Sequence, residues 1–295
     1  MIRRKRQFVI RVAYRLSMAY DDYRFLHVAV DGGICRATID NPPINLLDVP
    51  LIGEIGRLTQ ELAADDAVRV LIVDSADPEF FIAHADVELI LGLPADDISL
   101  HDELSTFHAM TERFRTLPQA TIAVIEGVCR GGGSELAMAF DMRYAAIGKA
   151  RFGQPEVAVG IIPGGGGTQR LPRLVGRGRA LEVILSGMDV DAATAEAWGY
   201  VDRALPPTEV RRFVDKVAAR IASAPPSAIA CAKRAVDAAL GDVATGLRVE
   251  DQLFREALAH PAARERLQAI LDAGAQTREF ELGEISQERA SRRPG

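Results

Sequence analysis

The chain has 295 residues, 48% of them hydrophobic and 26% charged, with a formal net charge of −6. That balance suits an enzyme-sized globular chain, in one domain or one plus an appendage, and excludes a low-complexity class. The acidic total argues against a nucleic-acid footprint and against a broadly basic membrane-facing surface. Its three cysteines, Cys35, Cys129 and Cys231, are odd in number and widely spaced, which fits a reducing, cytoplasmic setting better than a disulfide framework or a metal site.

Residues 1–22 read as an extended or disordered segment. Arg3, Arg4, Lys5, Arg6, Arg11 and Arg15 precede the first acidic residue, Asp21, so the stretch is either an upstream tail, with Met18 the functional start, or a transit peptide. Its apolar residues are too few and interrupted to span a membrane. Phe25 to Val30 and Ile34 to Ile39 alternate around Asp31-Gly32-Gly33 and predict a β-hairpin. Leu51, Ile52, Ile55, Leu58, Thr59 and Leu62 share one helical face, and Val68 to Val73 is the continuous apolar run of a buried strand. Pro94 to Asp97 reads as a loop, after which Ser99, Asp102 and Glu103 start a helix carrying Leu100, Leu104, Phe107, Phe114 and Leu117, ended by Pro118. Thr121 to Ile125 predicts another buried strand, followed by a triple glycine, a helix through about Asp141, and strands at Met142 to Ala146 and Arg151 to Phe152. Val201 to Leu205 is the last strand candidate. From Pro206 the pattern is helical, with Val210, Phe213, Val214, Val217 and Ile221 on one face and Leu253, Phe254 and Leu258 on a later one. The organisation expected is therefore an α/β core over 23–205, a helical oligomerisation region over 206–280, and a polar tail over 281–295. An alanine-rich helical region with little core of its own implies an oligomer.

Two carboxylates stand out. Gly131-Gly132-Gly133-Ser134-Glu135 opens a predicted helix, and Phe152-Gly153-Gln154-Pro155-Glu156 closes a predicted strand and its turn. Delivered into one cleft by separate elements, Glu135 and Glu156 can divide acid and base duties on a single water. Glycines between a strand and a helix present bare N–H groups at a positive helix terminus, suited to an oxyanion or a phosphate, or serve only a close-packed turn. No Gly-Lys-Ser/Thr ending or Gly-x-Gly-x-x-Gly spacing supports a nucleotide cradle, so the oxyanion reading is the better one. A second run, Ile162-Pro163-Gly164-Gly165-Gly166-Gly167-Thr168-Gln169-Arg170, shapes a pocket wall and starts a helix at Thr168, or is simply a mobile loop. Phe80-Phe81-Ile82-Ala83-His84-Ala85-Asp86 lies just beyond a buried strand, where pockets form in α/β proteins. The histidines have no ligand spacing beyond His101 and His108, and Ser134 lacks a Gly-x-Ser-x-Gly frame, so neither metal nor serine-hydrolase chemistry is expected. Cys129 reads as a packed strand residue.

The run from Gly131 to Ala137, then Phe152 to Glu156, then Ile162 to Leu171 resembles the crotonase superfamily, the enoyl-CoA hydratase/isomerase group, over about Phe25 to Leu205. The resemblance implies a right-handed spiral of ββα units with C-terminal helices that build a homotrimer or a dimer of trimers. It implies an acyl-CoA thioester substrate and no cofactor besides the coenzyme A of that substrate, with a place in fatty acid β-oxidation. Glu135 and Glu156 would hold the water, the N–H groups of Ala85 and Gly132 would form the oxyanion hole, and the backbone at Ala83, Ala85, Asp86 and Val87 would contact coenzyme A. Ile90 to Thr116 would line the acyl pocket. Phe152 and Pro155 would raise a carboxyl pKa. A Δ3,Δ2-enoyl-CoA isomerase, which needs one carboxylate at the second site, is the rival activity; a binding or assembly subunit and an RNA binder are the non-catalytic rivals. Two departures are expected to matter: His84 stands where the family has glycine, which strains the turn if it needs φ > 0, and Glu88 stands where many members have a basic residue.

Overall fold

The alternating runs on either side of Gly32-Gly33 pair as predicted, β1 (Leu26–Asp31) antiparallel to β2 (Ile34–Ile39), in a computed structural model that describes residues 20–94, 99, 101–277 and 280. Residues 1–19 of the predicted 1–22 segment, the predicted tail at 281–295 and residues 95–97 of the predicted Pro94 to Asp97 loop lie outside the described residues. Helix α1 (Val49–Ala63) follows, capped by Asp48, whose carboxylate accepts the Leu51 N–H, and it buries Leu51, Ile55, Leu58, Thr59 and Leu62.

From there the chain winds in a repeating way. Strands β3 (Val70–Ser75), β5 (Ala120–Ile125), β7 (Met142–Ala146) and β10 (Arg203–Leu205) extend the first sheet in parallel, in the order β1-β2-β3-β5-β7-β10. Strands β4 (Phe80–Ile82), β6 (Val128–Arg130), β8 (Arg151–Gly153) and β9 (Val190–Asp191) form a second sheet in that order. β3, β5 and β7 are thus each followed by a short strand in the other sheet and then by helical chain: α2 (Val87–Leu91) and α3 (Thr106–Thr116) after β4, and α4 (Gly132–Ala137) after β6. This is the ββα winding that the resemblance implied. Of the short strands the sequence pattern marks only β8, as Arg151 to Phe152; the others escape it because two or three residues carry too little periodicity.

The continuous apolar runs have a simple cause: the six-stranded sheet is covered on both faces. Leu71, Val73, Ala123 and Ile125 face a core shared with α1, α3 and α4. Val70, Ile72, Ile122 and Val124 face Val210, Val214 and Ala218 of α8 (Val210–Ala222). Between β8 and α8 lie α5 (Gly167–Val175), α6 (Arg177–Ser186) and α7 (Ala192–Trp198); α9 (Pro226–Ala238), α10 (Val243–Ala259) and α11 (Pro261–Asp272) complete the helical region.

Three expectations are corrected. The helix predicted from Ser99 begins at Thr106, where Ser105 caps it; the earlier cap residues lack the apolar spacing that Phe107, Met110 and Phe114 supply, and Leu104 stays exposed. The helix after the triple glycine ends at Ala137, because the chain turns so that Phe140 stacks on Phe114, ring centroids 4.6 Å apart, and Asp141 accepts the Thr121 N–H at 2.7 Å. Leu253 and Phe254 do not share a face: Leu253 is buried while Phe254 is 64% exposed.

Candidate active site

Strands β4, β6 and β8 run parallel in one sheet, so their carboxyl ends converge, and each hands the chain to one part of the site. β4 leads into Ala83, His84, Ala85 and Asp86, β6 into the triple glycine, and β8 into Gln154, Pro155 and Glu156.

The three glycines are demanded by three different neighbours. Gly131 has φ +47°, and a Cβ there would stand 2.8 Å from Glu156 Oε1. A Cβ on Gly132 would meet the Ala85 Cβ at 3.1 Å, and one on Gly133 would stand 2.7 Å from the Ile82 carbonyl oxygen. The chain therefore presses α4 against the β4 loop without intervening side chains. As the first residue of α4, Gly132 carries an N–H with no intrahelical partner. Ala85 bridges Leu47 in parallel: the Leu47 N–H donates to the His84 carbonyl at 3.0 Å, and the Asp86 N–H donates to the Leu47 carbonyl at 3.1 Å. That pairing turns the N–H of Ala85 itself away from Leu47. Among the described residues, neither the Ala85 nor the Gly132 N–H is engaged in a hydrogen bond.

The strain expected at His84 is absent, since its φ is not positive; its Nδ1 lies 2.8 Å from the Ala85 carbonyl and donates to it. The rest of the predicted ligand segment is committed as follows. The Ala83 N–H goes to the Ile44 carbonyl at 3.2 Å, the Asp86 carboxylate caps α2 by accepting the Glu88 N–H at 2.9 Å, and Val87 is exposed.

Glu135 is 3% exposed and lies in the first turn of α4. Its Oε1 accepts the N–H groups of Gly165 at 2.7 Å and Gly167 at 2.8 Å. Gly167 opens α5, so the carboxylate sits at a helix N-terminus. Burial raises its pKa, opposed by those two N–H groups and by the nearby His108 and Arg170. The second glycine run is therefore the clamp of the first carboxylate. The sequence signal for this was the glycine run ending at a helix start. Burial and the Glu135 charge push the Glu156 carboxyl up to about 7, partly offset by its own backbone N–H. Glu156 does not close a strand but opens a 3₁₀ turn, Glu156–Val159. The amide of Gln154, fully buried, faces both Glu156 oxygens at 3.3 and 3.2 Å; with its nitrogen on that side it donates to both, whereas its oxygen there would oppose a carboxylate.

Both carboxylates border a cavity of about 670 Å³ whose other walls are mainly apolar, with Leu47, Val49, Ile52, Leu89, Ile90, Leu93 and Phe107 beside Ser105 and Thr106, together with Ala85 and Gly132. The predicted residues Glu135, Glu156, Ala85 and Gly132 thus meet on one surface, and Ile90, Leu93, Ser105, Thr106 and Phe107 of the predicted acyl-pocket segment contribute a wall, whereas Ala83, Asp86 and Val87 do not line it. Gln154, Phe107, Gly165 and Gly167 were not singled out as site residues, because their contribution depends on contacts distant in sequence. His108 Nδ1 lies 2.9 Å from Ser105 Oγ. Among the described residues no group of three or more His, Cys, Asp or Glu could hold a metal ion, and no helix is long and apolar enough to cross a membrane. Cys129 is fully buried, which pushes its thiol far up and matches the packed-strand reading.

A sequence profile described as enoyl-CoA hydratase/isomerase matches residues 29–277. A protein named probable enoyl-CoA hydratase in Rhizobium meliloti is 35% identical over 251 residues, 84% of this chain and 95% of that one. The short-chain-enoyl-CoA hydratase of Clostridium acetobutylicum is 31% identical over 244 residues, 82% and 92% of the two chains. The crystal structure of an enoyl-CoA hydratase from Bacillus anthracis superimposes with a TM-score of 0.78 at 31% identity, covering 84% of this chain and 96% of that one. That of DspI from Pseudomonas aeruginosa does so with a TM-score of 0.78 at 34% identity, covering 85% and 95%.

Proposed function

This chain belongs to the enoyl-CoA hydratase/isomerase family, whose fold it shares, and we propose that within it the chain acts as a hydratase, adding water across the 2,3-double bond of a 2-enoyl-CoA thioester. The observation that carries the proposal is the pairing of two carboxylates from separate elements, on one apolar cavity, beside two uncommitted backbone N–H groups. The Ala85 and Gly132 N–H groups grip the thioester oxygen and draw electron density from the double bond, making C3 electrophilic. Glu135, its Oε1 held by Gly165 and Gly167, takes a proton from water through Oε2 as the water oxygen bonds to C3. The electron pair of the C2–C3 π bond moves into an enolate whose negative charge rests on the gripped oxygen. Glu156, with a carboxyl near neutrality, supplies the proton that C2 then takes, restoring the thioester carbonyl. Proton exchange between Glu135 and Glu156 through solvent resets the pair. No step needs a group from outside the chain and its substrate.

The apolar wall receives the acyl chain and excludes water from the enolate. We extend the proposal to a trimer or a dimer of trimers: Leu240, Val243, Leu247 and Phe254 of the helical region stand exposed on the isolated chain, and a neighbouring copy would cover them. Incubation with crotonyl-CoA and longer 2-enoyl-CoA thioesters, followed by the decay of the conjugated thioester absorbance, tests the activity. Turnover that requires both Glu135 and Glu156 is expected; no turnover at any chain length would overturn the proposal.

A further inference from the structure

The loop that clamps Glu135 is itself held from behind. Arg170, the fourth residue of α5, folds back over Gly165 and Gly166 with its side chain only 15% exposed. Its guanidinium takes the space that a side chain at position 166 would need: a Cβ on Gly166, whose φ is +113°, would collide with Arg170 Nη1. Nη1 also donates to the Gly165 carbonyl at 3.4 Å. The other end of the fork faces α3, where Nη2 pairs with Glu112 Oε1 at 2.5 Å and donates to Thr111 Oγ1 at 3.3 Å. Thr111 is fully buried and gives its own proton to the His108 carbonyl at 3.0 Å, so its oxygen meets Arg170 as an acceptor.

Glu112 is fixed in turn from its far side. Its Oε2 accepts from Arg115 Nε at 2.8 Å, and Arg115 Nη1 pairs with Asp237 of α9 at 2.6 Å. Burial would raise the Glu112 carboxyl, yet Arg115 and Arg170 together hold it below its ordinary value, so it stays a charged anchor. Partly exposed ion pairs contribute little to stability. A guanidinium bound at both ends does something else: it fixes a distance and an angle. Four consecutive glycines have no side chains of their own to hold them, and yet two of their N–H groups must meet one carboxylate oxygen at 2.7 and 2.8 Å.

We infer that Arg170 is a positioning residue for Glu135: by bridging the 165–167 loop to α3 through Glu112 it keeps the two clamping N–H groups aimed at Glu135 Oε1. The same bridge holds the clamp in register with α3, the helix that carries Phe107 of the cavity wall. The inference rests on the reading of Glu135 as the reacting base, and its test is made first on the free protein, without turnover.

The experiment is deuterium exchange read by mass spectrometry at the Gly165 and Gly167 amides, with the amides of β3 as the gauge of global opening. Arg170→Met should speed exchange at both glycines by about tenfold, the scale of one hydrogen bond of ordinary net strength, and leave β3 unchanged. A merely structural role would speed β3 as well. Arg170→Lys keeps the charge but offers a single point in place of a fork, so it should not restore protection. Glu112→Gln, which keeps shape and removes the anchor at a side chain 36% exposed, should also speed the two glycines and stands in should Arg170→Met fail to fold. Arg173→Met is the control: its guanidinium is exposed and donates to the Gln169 carbonyl at 2.9 Å, and its loss should change nothing. Unchanged exchange at Gly165 and Gly167 in Arg170→Met or in Glu112→Gln, acceleration shared with β3, or wild-type protection in Arg170→Lys overturns the inference. If the protein hydrates enoyl thioesters, Arg170→Met lowers kcat on the order of 10- to 10²-fold with little change in KM; if it does not, the exchange still decides the role of Arg170.

Discussion

Gly165→Ala puts one methyl group where Glu135 and the cavity wall meet. The φ of Gly165 is not positive, so alanine is conformationally allowed and only space is at issue. The added Cβ would lie 2.5 Å from Glu135 Oε2 and 2.4 Å from Phe107 Cε1. Both contacts are far inside van der Waals range, so the ring, the carboxylate or the loop must move by a large fraction of an ångström. Overpacking of this kind costs about 1–3 kcal/mol, and at about 2–4 °C per kcal/mol the Tm falls by roughly 2–12 °C. Activity suffers more: a displacement of about 1 Å at a reacting group costs on the order of 10²-fold. The paired control is Gly164→Ala, whose Cβ would meet only the Ile162 carbonyl oxygen, at 3.8 Å. Thermal unfolding and steady-state kinetics with an enoyl-CoA thioester measure both effects. If Gly165→Ala kept kcat within about twofold, or if Gly164→Ala lost as much, the clamp assigned to Gly165 would be wrong.

Glu135→Gln keeps the shape of the side chain and removes the base, so kcat should fall by about 10²–10⁴-fold with Tm and fold, judged by circular dichroism, preserved. For Glu156 the pH dependence has a definite sign: its folded-state carboxyl lies near 7 against 4.5 ordinarily, so hydration, which needs the acid form, should decline as pH rises through about 7, and dehydration, which runs through the same singly protonated pair, should decline with it. The same shift makes the folded state bind the extra proton, so the stability it contributes is present below about 4.5 and lost by about 7. Glu156→Gln should therefore gain on the wild type by about 1–2 kcal/mol between those limits, after discounting for partial exposure, as read from urea melts at both ends. Asp74, with a fully buried side chain, accepts from Thr38 at 2.6 Å and pairs with Arg36 at 2.8 Å and Arg211 at 3.1 Å. Asp74→Ala should cost about 3 kcal/mol in denaturant melts and leave the kinetics of the folded fraction unchanged.

Long elements were legible because their patterns were unambiguous. The hairpin around Gly32-Gly33 and the apolar runs of β3 and β5 announced themselves, and the burial of both faces of the central sheet explains why those runs do not alternate. The second sheet was legible only at β8, read as Arg151 to Phe152: β4 and β6 have three residues each, and what defines them is pairing with one another and with β8. The position of Glu135 and Glu156 after glycine-rich turns was readable, as was their likeness to a known pattern. Their partners were not. Gly165 and Gly167 contact Glu135 across 30 and 32 residues, and Tyr200 contacts Ser134 across 66, distances that local sequence does not encode. The concern over His84 came from reading a family habit as a backbone requirement; the turn has ordinary φ there, and the glycine that does need a positive φ is Gly131.

The central claim is that two carboxylates add water to an enoyl thioester. It is tested most directly by running the reaction in H₂¹⁸O and, separately, in D₂O, with mass spectrometry of the acyl-CoA product. The account predicts a 3-hydroxyacyl-CoA carrying solvent oxygen at C3 and one solvent deuterium at C2, formed by the wild type and not by Glu135→Gln or Glu156→Gln. A product with a shifted double bond and no solvent oxygen, or oxygen incorporation that survives loss of either glutamate, would contradict it.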